Sequence, residues 1–240
     1  MTFTTINASQ RTAAKVAALS CLVGMAVVVF SNYAIFIRLI VPGNAAETAR
    51  NIMAHEQMFR TAVVLNIAYT TSVLVFAAAL YLILRPVNPG VALAAALFRL
   101  VFALMWLLTA VNMLGTLRLL GSASYLQAFE PDRLQALARI ELAGNFDLYY
   151  VGLPFFGLAA TLSSYLWIKS RYIPGGLAVF GLIASGWCAA SAFAYLVWPS
   201  FGKAINLYTL DTPMALFELV LSFWMLMKGL APGDSSPAVE

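Results

Sequence analysis

The chain has 240 residues, of which 62% are hydrophobic and only 10% are charged, whereas a soluble domain carries about 25% charged residues. A chain of this length cannot cover so much apolar surface with polar groups, so a soluble fold is excluded and lipid must cover most of the surface. The formal net charge of +4 does not indicate nucleic acid binding. The basic residues lie scattered near the ends of apolar segments and form no stripe with interleaved aromatic residues.

Six apolar segments predict six transmembrane helices. Each is at least as long as the ~20 residues that a helix needs to cross a hydrocarbon core of about 30 Å. In chain order they cover residues 16–37, 61–84, 91–117, 148–168, 174–199 and 207–227. The predicted fold class is therefore an all-α membrane protein with a single bundle of six transmembrane helices. We divide the chain into a cytoplasmic N-terminal segment (1–15), the transmembrane domain (16–229) and a flexible cytoplasmic C-terminal tail (230–240).

Two outer connections have the pattern of amphipathic helices. Asn44 and Glu47 are spaced as in a capping box, which predicts a helix over residues 45–59. In the third connection Pro131 takes the first helical position, which proline favours. An apolar face follows it, formed by Leu134, Leu137, Ala138 and Leu142. We expect both helices to lie at the outer surface, either as a lid on the bundle or as a gate over a cavity.

The basic residues also predict the orientation of the chain. An even number of spans puts both termini on one side, and that side carries Arg11, Lys15, Arg85, Lys169, Arg171 and Lys228. The opposite side has a similar number of basic residues, but they lie in longer connections and are matched by acidic residues. Because the positive-inside rule acts through short loops such as 85–90, we expect a multi-pass protein of the cell membrane with both termini in the cytoplasm.

Arg99 and Glu218 are the ionisable residues that lie deepest in the predicted spans. Each costs about 2.5–3.5 kcal/mol to insert, so each needs a partner or a wet cavity. The rise of a helix puts their Cα atoms at depths that differ by about 10 Å, a gap that an arginine stem spans in large part. Two interpretations stay open: a structural ion pair that joins the third and sixth spans, or a site for a substrate or a proton.

Other polar residues concentrate in the outer half of the spans. Lipid tolerates few amides and carboxylates, so we expect their faces to turn inward and line a water-accessible pocket, although hydrogen bonds between helices also explain single polar residues. Asp211 has a second interpretation as an N-cap, because it precedes Pro213. The candidate catalytic residues are Glu218 and Asp147. The candidate ligand-binding residues are Asn66, Arg99, Asn112, Asn145, Asp147, Tyr150, Asp211 and Glu218.

Metal and cofactor sites are not predicted. The single histidine, His55, falls in an outer connection, where a solvated surface residue is expected. Cys21 and Cys188 lie within apolar segments, where isolated thiols behave as small hydrophobic residues. No nucleotide loop, metal-ligand set or nucleophile elbow occurs in the sequence.

The fifth span carries small residues at every fourth position, namely Gly181, Ser185 and Ala189. Such a face allows two helices to approach closely. It predicts either a packing contact inside the bundle or the contact face of a homodimer.

Three classes of function remain. The first is a protein that binds or handles a lipid or another amphipathic small molecule in the polar pocket of the outer half. The second is a cofactor-independent membrane enzyme, such as a proton-initiated cyclase or isomerase, that uses buried carboxylates as acids. The third is a sensor or an accessory membrane subunit. A secondary transporter is disfavoured, because we see no inverted repeat with broken helices in matching halves.

Short runs along nearly the whole chain resemble the bacterial "domain of unknown function 4386" family. They lie at residues 41–49, 59–60, 85–88, 98–100, 131–138, 155–158, 172–174, 217–224 and 228–229. The resemblance implies a bacterial multi-pass membrane protein whose biochemical role is not established. Members of the family often carry histidine where this chain has Asn145 and Ala159. A histidine-based metal or haem role is therefore not expected here.

Overall fold

The computed structural model describes residues 6–198, 200–205 and 207–231, with side chains except at 203, 204, 207 and 208. All regular structure in these residues is helical, and six helices are long and apolar enough to cross a membrane. The predicted all-α membrane fold with six spans is confirmed. Residues 1–5 of the predicted N-terminal segment, residue 199 of the fifth span and residues 232–240 of the predicted tail lie outside the described residues.

The helices follow the predicted order. They are α1 (Ala8–Phe30), a π-helical segment (Ser31–Phe36), α2 (Ile37–Leu39), α3 (Ala45–Ala54), α4 (Glu56–Leu84), α5 (Pro89–Leu120), a 3-10 helix (Ser124–Ala128), α6 (Pro131–Ser170), α7 (Gly175–Val197), α8 (Phe201–Ala204) and α9 (Leu207–Met227). The first spanning stretch runs without interruption through α1, the π-helical segment and α2.

The chain forms two compact units. Among the described residues, unit 1 comprises residues 6–22, 72–102 and 151–231, and unit 2 comprises residues 23–71 and 103–150. Helices α1, α4, α5 and α6 contribute residues to both units. Helices α7, α8 and α9 belong to unit 1, whereas α2 and α3 belong to unit 2.

In unit 1 the first helix begins earlier than predicted because a capping box fixes its start. The side chain of Asn7 accepts from the Gln10 N–H at 2.8 Å, and the Gln10 side chain accepts from the Asn7 N–H at 3.1 Å. The reciprocal bonds satisfy two N–H groups that the helix leaves unpaired. The Gln10 amide also donates to the Ile83 carbonyl and to the Tyr172 hydroxyl. The helix therefore begins at Ala8 instead of residue 16.

The small-residue face of α7 packs within unit 1. A Cβ on Gly181 would overlap the Phe217 ring, and a Cβ on Gly157 would overlap the backbone of Ala189. Ser185 is fully buried and bonded to neighbouring groups. The close approach that the sequence predicts is present, and it occurs inside the chain. Gly181, Ser185 and Ala189 are buried within the chain, and the homodimer predicted through them stays a prediction.

Helix α9 contains Pro213 in its interior, so Asp211 is not the N-cap that the sequence suggested. A proline lacks the N–H that would bond the carbonyl four residues earlier. That carbonyl belongs to Thr209, and it accepts instead from the Trp187 indole N–H at 2.9 Å. A donor from α7 thus replaces the missing backbone bond, which allows the helix to continue through the proline.

In unit 2 the first predicted amphipathic helix is α3. The Asn44 side chain accepts from the Glu47 N–H at 2.9 Å, as the capping pattern predicts. The Glu47 carboxylate reaches back to the Asn44 side-chain amide and not to its backbone N–H. The helix ends at Ala54 instead of residue 59, because the backbone of His55 leaves the helical region and a new helix, α4, begins there.

The second predicted amphipathic helix is not a separate element. Residues 131–142 form the start of the 40-residue helix α6, which continues into the fourth span. No proline interrupts the chain between Pro131 and Pro154, so nothing in the backbone ends the helix there. Of its predicted apolar face, Ala138 and Leu142 are buried whereas Leu137 is exposed.

The core of unit 2 joins the π-helical segment to α2, α3, α4, α5 and α6. Its buried members are Ile35, Leu39, Ile52, Phe59, Ala62, Val63, Ala110, Met113, Leu117 and Leu142. The π-helical segment was not predicted. In it the Ile37 N–H bonds the Asn32 carbonyl, five residues back, which is the hydrogen-bond pattern of a π-bulge.

Candidate functional site

Arg99 of α5 and Glu218 of α9 form a buried ion pair in unit 1. The Arg99 Nη2 atom lies 2.6 Å from the Glu218 Oε1 atom. The two side chains are only 3% and 7% exposed. The ion pair that the sequence suggested as one of two interpretations is therefore present, as a direct contact.

Two aromatic rings enclose the guanidinium of Arg99. Its Cζ atom lies 5.1 Å from the ring centroid of Phe76 and 4.9 Å from that of Phe156. A cation over the face of an aromatic ring is attracted by the negative charge of that face. The rings therefore stabilise the positive charge and keep water away from it, which strengthens the interaction with Glu218.

The backbone around Glu218 is also held by polar groups. The Ser222 hydroxyl donates to the Glu218 carbonyl at 2.7 Å, and the Cys21 thiol lies 4.0 Å from the same oxygen. Cys21 and Cys188 are both buried free thiols, which agrees with their interpretation as small hydrophobic residues. Asp211 lies on α9 and is half-buried.

A small cavity adjoins Arg99. Its volume is about 10 Å³, which is room for roughly one water molecule. It is lined by Ala77, Leu80, Tyr81, Leu84, Ala92, Ala95, Ala96, Arg99 and Ser163, of which Arg99 alone is charged. Four alanines make the space, because larger side chains at those positions would fill it.

The guanidinium has donors beyond the one that Glu218 uses. It carries several N–H groups in a planar fork, and among the described residues its hydrogen bond is the one to Glu218. Since Arg99 lines the cavity, an acceptor group placed there could bond the remaining donors. An anionic oxygen would suit this position best.

In unit 2 the predicted residue Asn66 has a structural role. Its amide donates to the Ala62 carbonyl at 2.9 Å and approaches the Met113 sulfur at 3.5 Å. The Thr70 hydroxyl donates to the Asn66 carbonyl. Two of these contacts lie within α4, and the contact with Met113 joins α4 to α5.

Asp147 and Tyr150 lie in the middle of α6, near the predicted start of the fourth span. Asp147 is exposed, and the Tyr150 ring packs at 5.7 Å against that of Tyr149. Asp147 lies in unit 2 and Glu218 in unit 1, so the two candidate catalytic residues are described in separate units. No group of three or more His, Cys, Asp and Glu side chains that could hold a metal ion occurs in the part of the chain that the structure describes.

Facing residues of α5 and α6 form a second polar cluster in unit 2. The Asn112 amide nitrogen lies 3.4 Å from the position of a Cβ on Gly144, and the Glu141 carboxylate occupies the place of a Cβ on Gly115. The Asn145 side-chain oxygen is buried, with no hydrogen-bond partner in the described ranges. Sequence reasoning found Asn112 and Asn145 but missed Glu141. The available signal was its position four residues before Asn145, on the same face of a helix.

The comparisons with known proteins identify a family and no function. No curated protein and no solved structure gives a significant match. Residues 16–229 match the family described as Domain of unknown function (DUF4386). The match covers most of the chain and agrees with the resemblance seen in the sequence. The chain is a multi-pass membrane protein that belongs to the DUF4386 family.

Proposed function

We propose that this protein binds an amphipathic small molecule or lipid whose acidic head group bonds Arg99. The observation that carries the proposal is the position of Arg99, a buried cation beside a cavity whose lining is mostly alanine and leucine. The apolar wall suits a hydrocarbon chain. The spare N–H donors suit a carboxylate or a phosphate, which arginine can bond through two parallel hydrogen bonds.

Glu218 competes with the ligand in this proposal. It neutralises the charge of Arg99 and repels an anion, so an acidic head group gains from the hydrogen bonds to the guanidinium and not from net charge. An acidic head group competes with Glu218 for the guanidinium, or shares it by bonding the donors that Glu218 leaves unused. Leu80, Tyr81 and Leu84 are the lining residues of α4 with long side chains, and their rotation would admit a ligand larger than water.

The test is native mass spectrometry of the protein purified in mild detergent, followed by lipid analysis of what it retains. We compare the wild type with the variant that carries both Arg99→Gln and Glu218→Gln. The double change removes both charges. Glu218→Gln keeps the shape of its side chain, whereas Arg99→Gln replaces the guanidinium by a shorter polar amide. The matched control is the variant with Arg60→Gln and Glu56→Gln, which neutralises the exposed pair of α4.

We expect the wild type and the control to retain an acidic amphiphile. The neutralised Arg99 variant should retain at least about tenfold less, because a hydrogen bond to a charged group contributes about 1.5–3 kcal/mol. Equal retention by the wild type and the neutralised, folded variant would contradict the proposal.

The proposal includes the cell membrane as location, with both termini in the cytoplasm. The support is the short basic loop at Arg85 and the basic residues Lys169, Arg171 and Lys228 near the other connections on the same side. A reporter enzyme that is active only outside the cytoplasm should be inactive when it is fused after Lys228. An active fusion at that position would show that the C-terminus lies outside the cytoplasm and would contradict the proposed orientation.

The enzyme and sensor hypotheses gain no support from a specific contact among the described residues. The carboxylate of Glu218 is engaged by Arg99, and Asp147 is exposed. We therefore propose ligand binding and not catalysis.

A further inference from the structure

We propose that unit 2 contains a second binding site, for a cation, at Glu141 and Asn145 of α6. It is independent of the ligand proposed at Arg99, because it uses other residues and binds the opposite charge.

The first observation is the packing of α6 on α5. Gly115 of α5 packs against Glu141 of α6. One turn earlier on α5, the Asn112 amide packs against Gly144, which comes later on α6. The order is that of two antiparallel helices. The absence of a side chain at Gly115 lets the Glu141 carboxylate lie against the backbone of α5, where a Cβ would overlap it.

The second observation is that the Glu141 carboxylate has no donor among the residues that the structure describes. The half-buried side chain makes no hydrogen bond or ion pair within the ranges that the structure describes. Arg118 of α5 is exposed, Arg139 of α6 is half-buried, and neither forms an ion pair with Glu141 in those ranges. A carboxylate in such a helix contact normally has a cation or several N–H donors beside it.

The third observation is the buried oxygen of Asn145, one helical turn after Glu141. It lies on the same face of α6, because residues four apart are neighbours on a helix. Its side-chain oxygen has no donor in the described part of the chain. Buried acceptors are almost always bonded in proteins, so one without a protein donor points to a bound group.

Together these residues present three acceptor oxygens, two from the Glu141 carboxylate and one from the Asn145 amide. Asn112 adds a second amide to the same contact. Carboxylate and amide oxygens are the ligands that hard metal cations prefer, and they also accept the N–H groups of an ammonium. The shared chemistry is that of a small cation, which is either a free metal ion or the ammonium head of a lipid.

The test is the melting temperature of the full-length protein in detergent after treatment with a chelator. One arm titrates sodium, magnesium or calcium chloride. The other arm titrates ethanolamine hydrochloride, and compares nanodiscs of phosphatidylethanolamine with nanodiscs of phosphatidylglycerol. The variants are Glu141→Gln and, as a matched control on the exposed start of the same helix, Glu130→Gln.

We expect at least one cation to raise the melting temperature of the wild type and of Glu130→Gln by about 5–10 °C, at a concentration of about a hundred times its Kd. The rise should vanish in Glu141→Gln. A response to a metal chloride identifies a metal ion, whereas a response to ethanolamine or phosphatidylethanolamine identifies a lipid head group. Equal responses in the wild type and in Glu141→Gln, or no response to any cation, overturn the proposal.

A second variant keeps the test decisive if Glu141→Gln does not fold. Asn145→Asp adds a carboxylate of the same size to the site. It should lower the cation concentration at half-maximal response by about tenfold, because a charged acceptor bonds a cation more strongly than a neutral one. An unchanged midpoint in this variant also overturns the proposal.

Discussion

Two ion pairs of this chain have the same chemistry and almost the same length, yet they lie in different surroundings. Arg99 and Glu218 are 2.6 Å apart with side chains 3% and 7% exposed, whereas Arg60 and Glu56 are 2.7 Å apart with side chains 51% and 41% exposed. The first pair joins two helices and the second joins successive turns of α4. Since the two distances are nearly equal, we expect burial and not distance to decide how much stability the chain loses when each pair is broken.

The largest effect should come from breaking the buried pair on one side. Glu218→Gln or Arg99→Gln leaves the partner charged and buried, which costs about 3–5 kcal/mol. Thermal unfolding in detergent measures this loss as a lower melting temperature. The charge swap that combines Arg99→Glu with Glu218→Arg should recover part of it. A single variant as stable as the wild type would show that the pair does not hold the helices together.

A smaller change in stability should result when a methyl group is added at either of two glycines of α7, and its sign should differ between them. Gly181→Ala puts a Cβ into the Phe217 ring, and such overpacking costs about 1–3 kcal/mol. Gly186 has open space around its Cβ position, so Gly186→Ala should stabilise the helix by up to about 1 kcal/mol. The two melting temperatures should therefore move in opposite directions. A common direction would mean that packing at Gly181 is not tight.

Loss of the hydrogen bond from Trp187 to the Thr209 carbonyl, which replaces the backbone bond that Pro213 cannot make, should lower the stability still less. Trp187→Phe removes the donor to the Thr209 carbonyl and should cost about 0.5–1.5 kcal/mol. In a chain that also carries Pro213→Ala, residue 213 regains its own N–H, so the same tryptophan change should cost less. Equal losses in both backgrounds would show that the indole bond does not compensate for the proline.

The smallest effect should follow loss of the exposed pair. Arg60→Gln should cost about 0.3–0.5 kcal/mol at low salt, and less at high salt, because water and ions screen exposed charges. Unfolding at two salt concentrations checks this value. If Arg60→Gln lowered the stability as much as Arg99→Gln, burial would not explain the difference between the two ion pairs.

Much of the fold could be predicted because a membrane imposes it. The length of apolar segments fixes the number of spans, and the cost of a charge in lipid singles out Arg99 and Glu218 as partners. The cap at Asn44 follows from local spacing alone. These features depend on the hydrophobicity or spacing of residues that are visible in the sequence.

Other features depend on contacts between distant residues, and the sequence could not supply them. The continuous helix from Pro131 was missed, since local patterns mark where a helix starts more clearly than where it continues. The role of Glu141 requires the register of α6 on α5, and the bond from Trp187 to Thr209 requires the packing of α7 on α9. Whether polar faces of different helices meet in a pocket in the outer half also depends on contacts between distant residues. That pocket stays a prediction.

The most direct test of the central claim is a pair of double-mutant cycles, one for each ion pair. Each cycle measures the unfolding free energy of the wild type, of both Gln single variants and of the double variant, under one set of conditions. Burial predicts a coupling energy of at least about 2 kcal/mol for Arg99 with Glu218 and below about 0.5 kcal/mol for Arg60 with Glu56. Equal coupling energies for the two pairs would contradict the claim that burial determines the contribution of an ion pair to stability.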